Sequence, residues 1–221
     1  MSALRGQLSR YPRNSHSLQG IARQDMLAEN SRVGAKKPDS SGGAAMQPYH
    51  LAKIIEWSPA GKLRSRKRMQ KIIYLLQSAG CAAFDADFIL HHYGPYSQDV
   101  AALTDQMVSG GLLLEKEEPN QSSGSVYSYR LSEAAKNSLE KFEGEETGKR
   151  MAAEMEAFRD SAVELLKADL KEVEYAATVI YFYRQRRDWD DAAGKTAKFK
   201  KIDRSNPALQ RALKLARQFA N

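Results

Sequence analysis

The densest charge feature of the sequence is Lys62, Arg64, Arg66, Lys67, Arg68 and Lys71, six bases in ten residues with no acid among them. Read as part of one helix over 64–78, Arg64, Lys67, Arg68 and Lys71 fall within about 100° of arc, opposite a stripe of Met69, Ile72, Ile73 and Leu76. One face would be buried and the other strongly basic. Such a face can grip phosphates, each contact adding salt-dependent affinity, or meet an acidic protein. A second candidate surface follows the Gly94-Pro95 turn, where a helix would expose Gln98 and Gln106. Glutamines can read base edges, but Asp99 and Asp105 on the same helix would repel a nucleic-acid backbone. The expected binding residues are therefore Arg64, Lys67, Arg68, Lys71, Gln98 and Gln106.

Catalytic constellations do not assemble. Adjacent His91 and His92 on a helix point about 100° apart and cannot both face one metal without further ligands. Asp85 and Asp87 are two apart, which suits helix-start acids and not a carboxylate pair. The lone cysteine, Cys81, has no base partner and reads as a small buried residue. Gly194-Lys195-Thr196 ends like a phosphate-binding loop, yet Trp189 holds the place of the required earlier glycine and no strand precedes it. Asn120-Gln121-Ser122 has only the form of a glycosylation sequon. The sequence thus predicts no enzyme, no cofactor and no metal site.

The elements that must position these residues follow from periodicity. A short helix is expected over 49–57, the basic helix over 64–78, and a shorter one around Phe84, Phe88 and Ile89. Ser97 is a good N-cap for a helix whose buried stripe is Val100, Leu103 and Met107, with Thr104 able to bond back to the preceding turn. The period then changes: Leu112, Leu113 and Leu114 begin a strand, 119–124 is a polar turn, and 126–131 alternates as a second strand. Ser132 caps a helix carrying Ala135, Leu139 and Phe142. The fold class is mainly α with a small β component (α+β): several short helices, a hairpin and a closing helix in about 95 residues have the order of a winged helix. Its wing is acidic at the root, with Glu117 and Glu118.

The last third is helical throughout, with apolar stripes through Met151, Met155, Leu165, Val173, Ile180 and Leu209. Its bases, from Arg184 to Arg204, interleave with Tyr183, Trp189 and Phe199. Base stacking is one reading, and the other, which amphipathicity favours, makes the aromatics core and the bases their solvated side. Three parts are expected: a tail over 1–45, a winged-helix domain over 46–143 and a helical extension over 144–221, hinged at 140–146.

Composition bounds the rest. The chain has 221 residues, 34 Lys plus Arg, 27 Asp plus Glu and a net charge of +7. Residues 1–50 hold seven bases and three acids, so more than half of the excess precedes the first periodic segment. One cysteine excludes an intramolecular disulfide and a Cys-rich zinc site, and no apolar run approaches the roughly 18 residues of a membrane span. A cytoplasmic protein is expected, with no membrane partner. Residues 1–45 are too poor in large apolar groups to offset ordering entropy. Their early arginines and serines have a transit-peptide composition, although Pro12 and the missing apolar stripe weigh against that reading. Translation starting at Met46 is the third alternative.

Four motifs carry a family resemblance: Lys71-Ile72-Ile73-Tyr74-Leu75-Leu76, Tyr93-Gly94-Pro95-Tyr96-Ser97, Gly110-Gly111-Leu112-Leu113 and Tyr129-Arg130-Leu131-Ser132. Together they resemble the YwgA-like family and, more loosely, are similar to the phage-associated Panacea (SocA-like) antitoxin domains, over about residues 48–142. The first family implies no activity, and the second implies neutralisation of a toxin by protein contact. Neither supplies catalytic residues. The expected function is a non-enzymatic binding module of phage-associated or toxin–antitoxin type with a protein partner. The alternative is a winged-helix regulator that grips duplex DNA.

Overall fold

The computed structural model describes residues 46–119 and 124–221. The readings of the 1–45 tail and of the Asn120-Gln121-Ser122 sequon lie outside the described residues.

Helix α1 (Pro48–Glu56) begins with proline at its first position, where the missing N–H is not needed, and buries Leu51, Ile54 and Ile55. A 3-10 turn at Pro59–Gly61 leads into β1 (Leu63–Arg64), a two-residue strand paired antiparallel with Tyr129 and Ser128. Helix α2 (Arg66–Ser78) starts two residues later than periodicity suggests. Ser65 has φ +83° and donates its N–H to the Tyr127 carbonyl at 2.8 Å, so the chain pairs with a strand before it can turn helical. Arg64 accordingly lies on β1 and does not share a helical face with Lys67, Arg68 and Lys71.

The helix expected around Phe84 is absent. Residues 82–88 run as turns and coil, followed by a tight hairpin of β2 (Ile89–His91) and β3 (Gly94–Tyr96). The Gln77 side-chain amide donates to the Ala86 carbonyl at 3.0 Å and accepts from the Ala86 N–H at 3.4 Å. Backbone groups that a helix would pair are thereby taken by α2, and Asp85 and Asp87 add little helix propensity to resist it. Neither aspartate starts a helix; the Asp87 N–H donates to the Asp99 carboxylate at 3.4 Å. Phe84 is still buried and Phe88 half-buried, but Ile89 is 63% exposed, so the apolar spacing located one core residue and misled about conformation and about Ile89.

Helix α3 (Gln98–Ser109) is capped by Ser97, whose hydroxyl accepts from the Val100 N–H, and the Thr104 hydroxyl donates back to the Val100 carbonyl at 2.7 Å. Strands β4 (Leu113–Pro119) and β5 (Ser125–Leu131) pair antiparallel, and with β1 they form a sheet of order β1-β5-β4. Helix α4 (Glu133–Glu143) closes this part under the Ser132 cap.

The expected hinge is a helix end turned directly into α5 (Glu146–Glu156). Gly148 of α5 lies so close to α4 that a Cβ there would sit 1.8 Å from the Phe142 carbonyl oxygen. Helices α6 (Arg159–Lys167), α7 (Leu170–Arg186), α8 (Trp189–Lys200) and α9 (Pro207–Phe219) complete the chain. Helix α7 is nearly apolar along Val173, Ala176, Ala177, Val179 and Ile180, all fully buried, and packs against α2, α8 and α9. One continuous apolar cluster runs from Leu51 to Phe219. The architecture is mostly helical with a small antiparallel sheet. No described helix is long and apolar enough to cross a membrane.

Candidate functional site

The basic run is distributed over internal partners. Arg64 sits 3.3 Å from Glu118, which Lys62 also reaches at 2.5 Å, and these cations hold the Glu118 carboxyl below its ordinary range. Arg66 pairs with Glu115 at 2.8 Å and Asp105 at 3.2 Å, and its Nε donates to the Tyr129 hydroxyl at 2.6 Å. Arg68 places one nitrogen on three carbonyls at the end of α6: Leu165 and Leu166 at 3.1 Å and Ala168 at 2.8 Å. A cation there satisfies acceptors that the helix cannot pair itself and suits the negative end of its dipole. Lys67 lies 3.9 Å from Glu174 and 3.8 Å from the centre of the Tyr93 ring. Lys71 is 2% exposed and donates to the Pro95 carbonyl at 2.5 Å. Burial, the largest influence, drives its pKa from 10.5 to about 7.

The structure therefore does not bring Arg64, Lys67, Arg68 and Lys71 together on a solvated face. Arg68 and Lys71 point into the protein, while Arg64 and Lys67 are about half exposed and each has an acidic neighbour. The reason is tertiary: α7 and the β2–β3 hairpin cover the α2 face that helical geometry alone leaves to solvent. Gln98 and Gln106 are exposed on α3. Gln98 accepts from the Tyr96 hydroxyl at 3.2 Å.

Two recesses flank these elements. A cavity of about 240 Å³ lies between α2, the β2–β3 hairpin and the start of α3, bordered by Lys67, Lys71, His91, Tyr93, Tyr96 and Thr104. Its hairpin wall is held by Gly94, whose φ of +90° favours glycine and whose missing Cβ would meet the Thr178 hydroxyl at 2.4 Å. The α3 wall is set by Gln70, whose buried amide donates to the Ser97 carbonyl at 2.9 Å and accepts from the Ser97 N–H at 2.8 Å. Gln70 escaped the sequence reading. The signal for it was a polar residue beside the apolar stripe of α2.

The second recess is an open groove of about 830 Å³ framed by α1, α4 and α5. Its walls include Tyr49, Met107, Leu112, Leu139, Phe142 and Met151, with His50, Arg150 and Glu154 also lining it. Tyr49 fixes the α1 side: its hydroxyl donates to Glu143 at 2.8 Å and its ring packs 5.3 Å from Phe142. His50 accepts from the Gln47 N–H through Nδ1, and burial pushes its pKa down from 6.5 to about 4. Sequence periodicity identified Leu139, Phe142 and Met151 as apolar, but not that the space beside them stays unfilled.

The remaining chemical candidates resolve blandly. His91 ends β2 and His92 occupies the following turn, their rings 4.7 Å apart. No group of three or more His, Cys, Asp or Glu side chains suited to a metal ion occurs among the described residues. Cys81 is buried, which pushes its thiol up to about 11 and away from thiolate chemistry. Gly194, Lys195 and Thr196 lie inside helix α8. Tyr183 stacks on Trp189 at 3.8 Å, with Arg187 and Arg217 over the outer faces of the pair.

No family model matches the chain. Residues of the chain are similar to the uncharacterised protein YwgA of Bacillus subtilis (strain 168), at 28% identity over 87 residues. The match covers 39% of this chain and spans half the length of that relative. The likeness supports a YwgA-like relationship for part of the molecule and carries no activity with it.

Proposed function

We propose that the chain is a non-enzymatic binding module that takes an amphipathic segment of a protein partner into the groove between α1, α4 and α5. The observation that carries this reading is the contrast in what the fold leaves unsatisfied. The bases that would grip phosphate are held by Glu115, Glu118, Glu174 and backbone carbonyls. The apolar walls of a groove of about 830 Å³ face open space. Met151, half-buried in its wall, suits such a surface, because an unbranched thioether repacks around different apolar shapes. The resemblance to antitoxin domains is consistent with a partner recognised by protein contact, of phage-associated or toxin–antitoxin type.

A winged-helix regulator is the second reading. The order α1-β1-α2-α3-β4-β5 with sheet order β1-β5-β4 favours it, the β2–β3 hairpin being an insertion before the third helix. Electrostatics disfavour duplex binding on that frame, since α3 presents Asp99 and Asp105 beside Gln98 and Gln106 and β4 carries Glu115, Glu117 and Glu118.

One paired experiment separates the two. Affinity capture from the native host is run with the unaltered chain, with Met151→Lys and with the paired change Arg64→Ala, Lys67→Ala. A stoichiometric protein retained by the Arg64→Ala, Lys67→Ala variant and lost by Met151→Lys supports the groove. A partner that survives Met151→Lys overturns it. Duplex binding that weakens steeply with salt, and whose slope flattens in the Arg64→Ala, Lys67→Ala variant, establishes the regulator instead.

A further inference from the structure

Among the described residues, Lys71 is a charged side chain that the fold leaves poorly compensated. It lies in the middle of α2, 2% exposed, and among the described residues its nitrogen meets one acceptor, the Pro95 carbonyl. An ammonium offers three donors. Among the described residues no carboxylate lies within ion-pair distance of it. Glu174, whose charge reaches it from α7, already holds Lys200 at 2.6 Å and lies 3.9 Å from Lys67. Three lysines thus share one acid in a largely buried neighbourhood, with Lys200 only 6% and Glu174 only 13% exposed. A buried cation short of both counter-charge and acceptors is strongly disfavoured unless something supplies them.

The same lysine borders the cavity of about 240 Å³, which has the volume of about eight liquid waters. Around it, other polar groups are already engaged. The Thr104 hydroxyl donates to the Val100 carbonyl, the Tyr96 hydroxyl to Gln98, and Gln70 is locked onto Ser97. What remains is a mainly apolar wall with Lys71 and Lys67 at its edge, Lys67 lying over the Tyr93 ring. A buried lysine with donors to spare, beside a small, partly open and mainly apolar recess, calls for a ligand that brings acceptors and a negative charge on a compact body.

The geometry points to this cavity as a binding site for a small oxyanion, a carboxylate or phosphate group, whose charge pairs with Lys71 and Lys67. The site is separate from the groove and stands whether or not the protein-binding reading does. Ligand entry would keep Lys71 protonated and stiffen the β2–β3 hairpin against α2, since the lysine bridges both through Pro95.

The test uses the full 221-residue chain at pH 6, titrated calorimetrically with sodium phosphate and, separately, with sodium benzoate, ionic strength being matched with sodium chloride throughout. Saturable one-site binding of either anion is expected, and the one that binds names the class. Lys71→Met, which keeps the length of the side chain and removes its charge, should weaken that binding at least tenfold. Ala101 of α3 also lines the cavity, and Ala101→Phe, which narrows it without touching a charge, should do the same and serves as the deciding variant if Lys71→Met does not fold. Absence of saturable binding for both anions, or unchanged affinity in the deciding variant, overturns the proposal.

Discussion

The cavity beneath the β2–β3 hairpin and the groove beside α1 are both framed by α-helices, yet the fold treats them differently. Around the first, charged side chains find carboxylates and carbonyls from distant parts of the chain, until Lys71 alone is left short. Around the second, Tyr49, Met107 and Leu139 are buried while Leu112, Phe142 and Met151 stay partly exposed toward the open groove. The difference follows from the nature of the two interactions. One carboxylate or carbonyl can satisfy a cation, so a folding chain meets a basic run piecemeal, with Glu115, Glu118, Glu174 and the end of α6 each taking part of it. Apolar area is satisfied only by another surface of matching shape. A dense basic run is consequently weaker evidence for an external ligand than an apolar groove left open in the finished fold.

Four perturbations sharpen this contrast. The largest effect is expected from Gly148→Ala, because a methyl group there meets the Phe142 backbone and must push α5 off α4. The loss should be about 3 kcal/mol or more, read from the urea midpoint, and groove binding should fail with it. A loss below about 1 kcal/mol would mean that the α4–α5 wall of the groove is compliant. Next comes Arg68→Ala, which strips three carbonyls at the end of α6 of their donor. About 2 kcal/mol should disappear in the same assay, as for a hydrogen-bonded charge, with the groove unaffected.

The third perturbation is pH. Lys71 titrates near 7 in the fold and near 10.5 in the unfolded chain, so between those values the unfolded chain binds the extra proton. Stability should therefore rise with pH from about 7 toward 10.5, by up to about 1.4 kcal/mol per pH unit for this group. Urea midpoints compared between the unaltered chain and Lys71→Met should show that rise diminished in the variant. Equal slopes would place the charge of Lys71 in contact with solvent or a counter-ion. The smallest effect belongs to Arg64→Ala, a half-exposed pair with Glu118 whose removal should change stability by less than about 0.5 kcal/mol.

Much of the scaffold was legible in the residues. Ser97 and Ser132 cap the helices they precede, and the change of period after Gly111 marks the hairpin of β4 and β5. These are local effects, decided by a few neighbouring residues. The segment around Phe84 was not legible, because its conformation depends on a glutamine nine positions away in sequence and on another element. The candidate sites were legible only as composition. Lys67, Arg68 and Lys71 do share a helix, but whether they face solvent depends on α7 and the hairpin packed against it.

The sequence by itself determined a mostly helical chain with one cysteine, a concentrated run of bases and a hairpin between capped helices, since propensity, capping and periodicity act within a turn or two. Only the tertiary structure decided that the bases are taken up by carboxylates and carbonyls of the chain itself while an apolar groove stays open. Long-range packing determines which charge meets which carboxylate and which apolar surface is left without a cover.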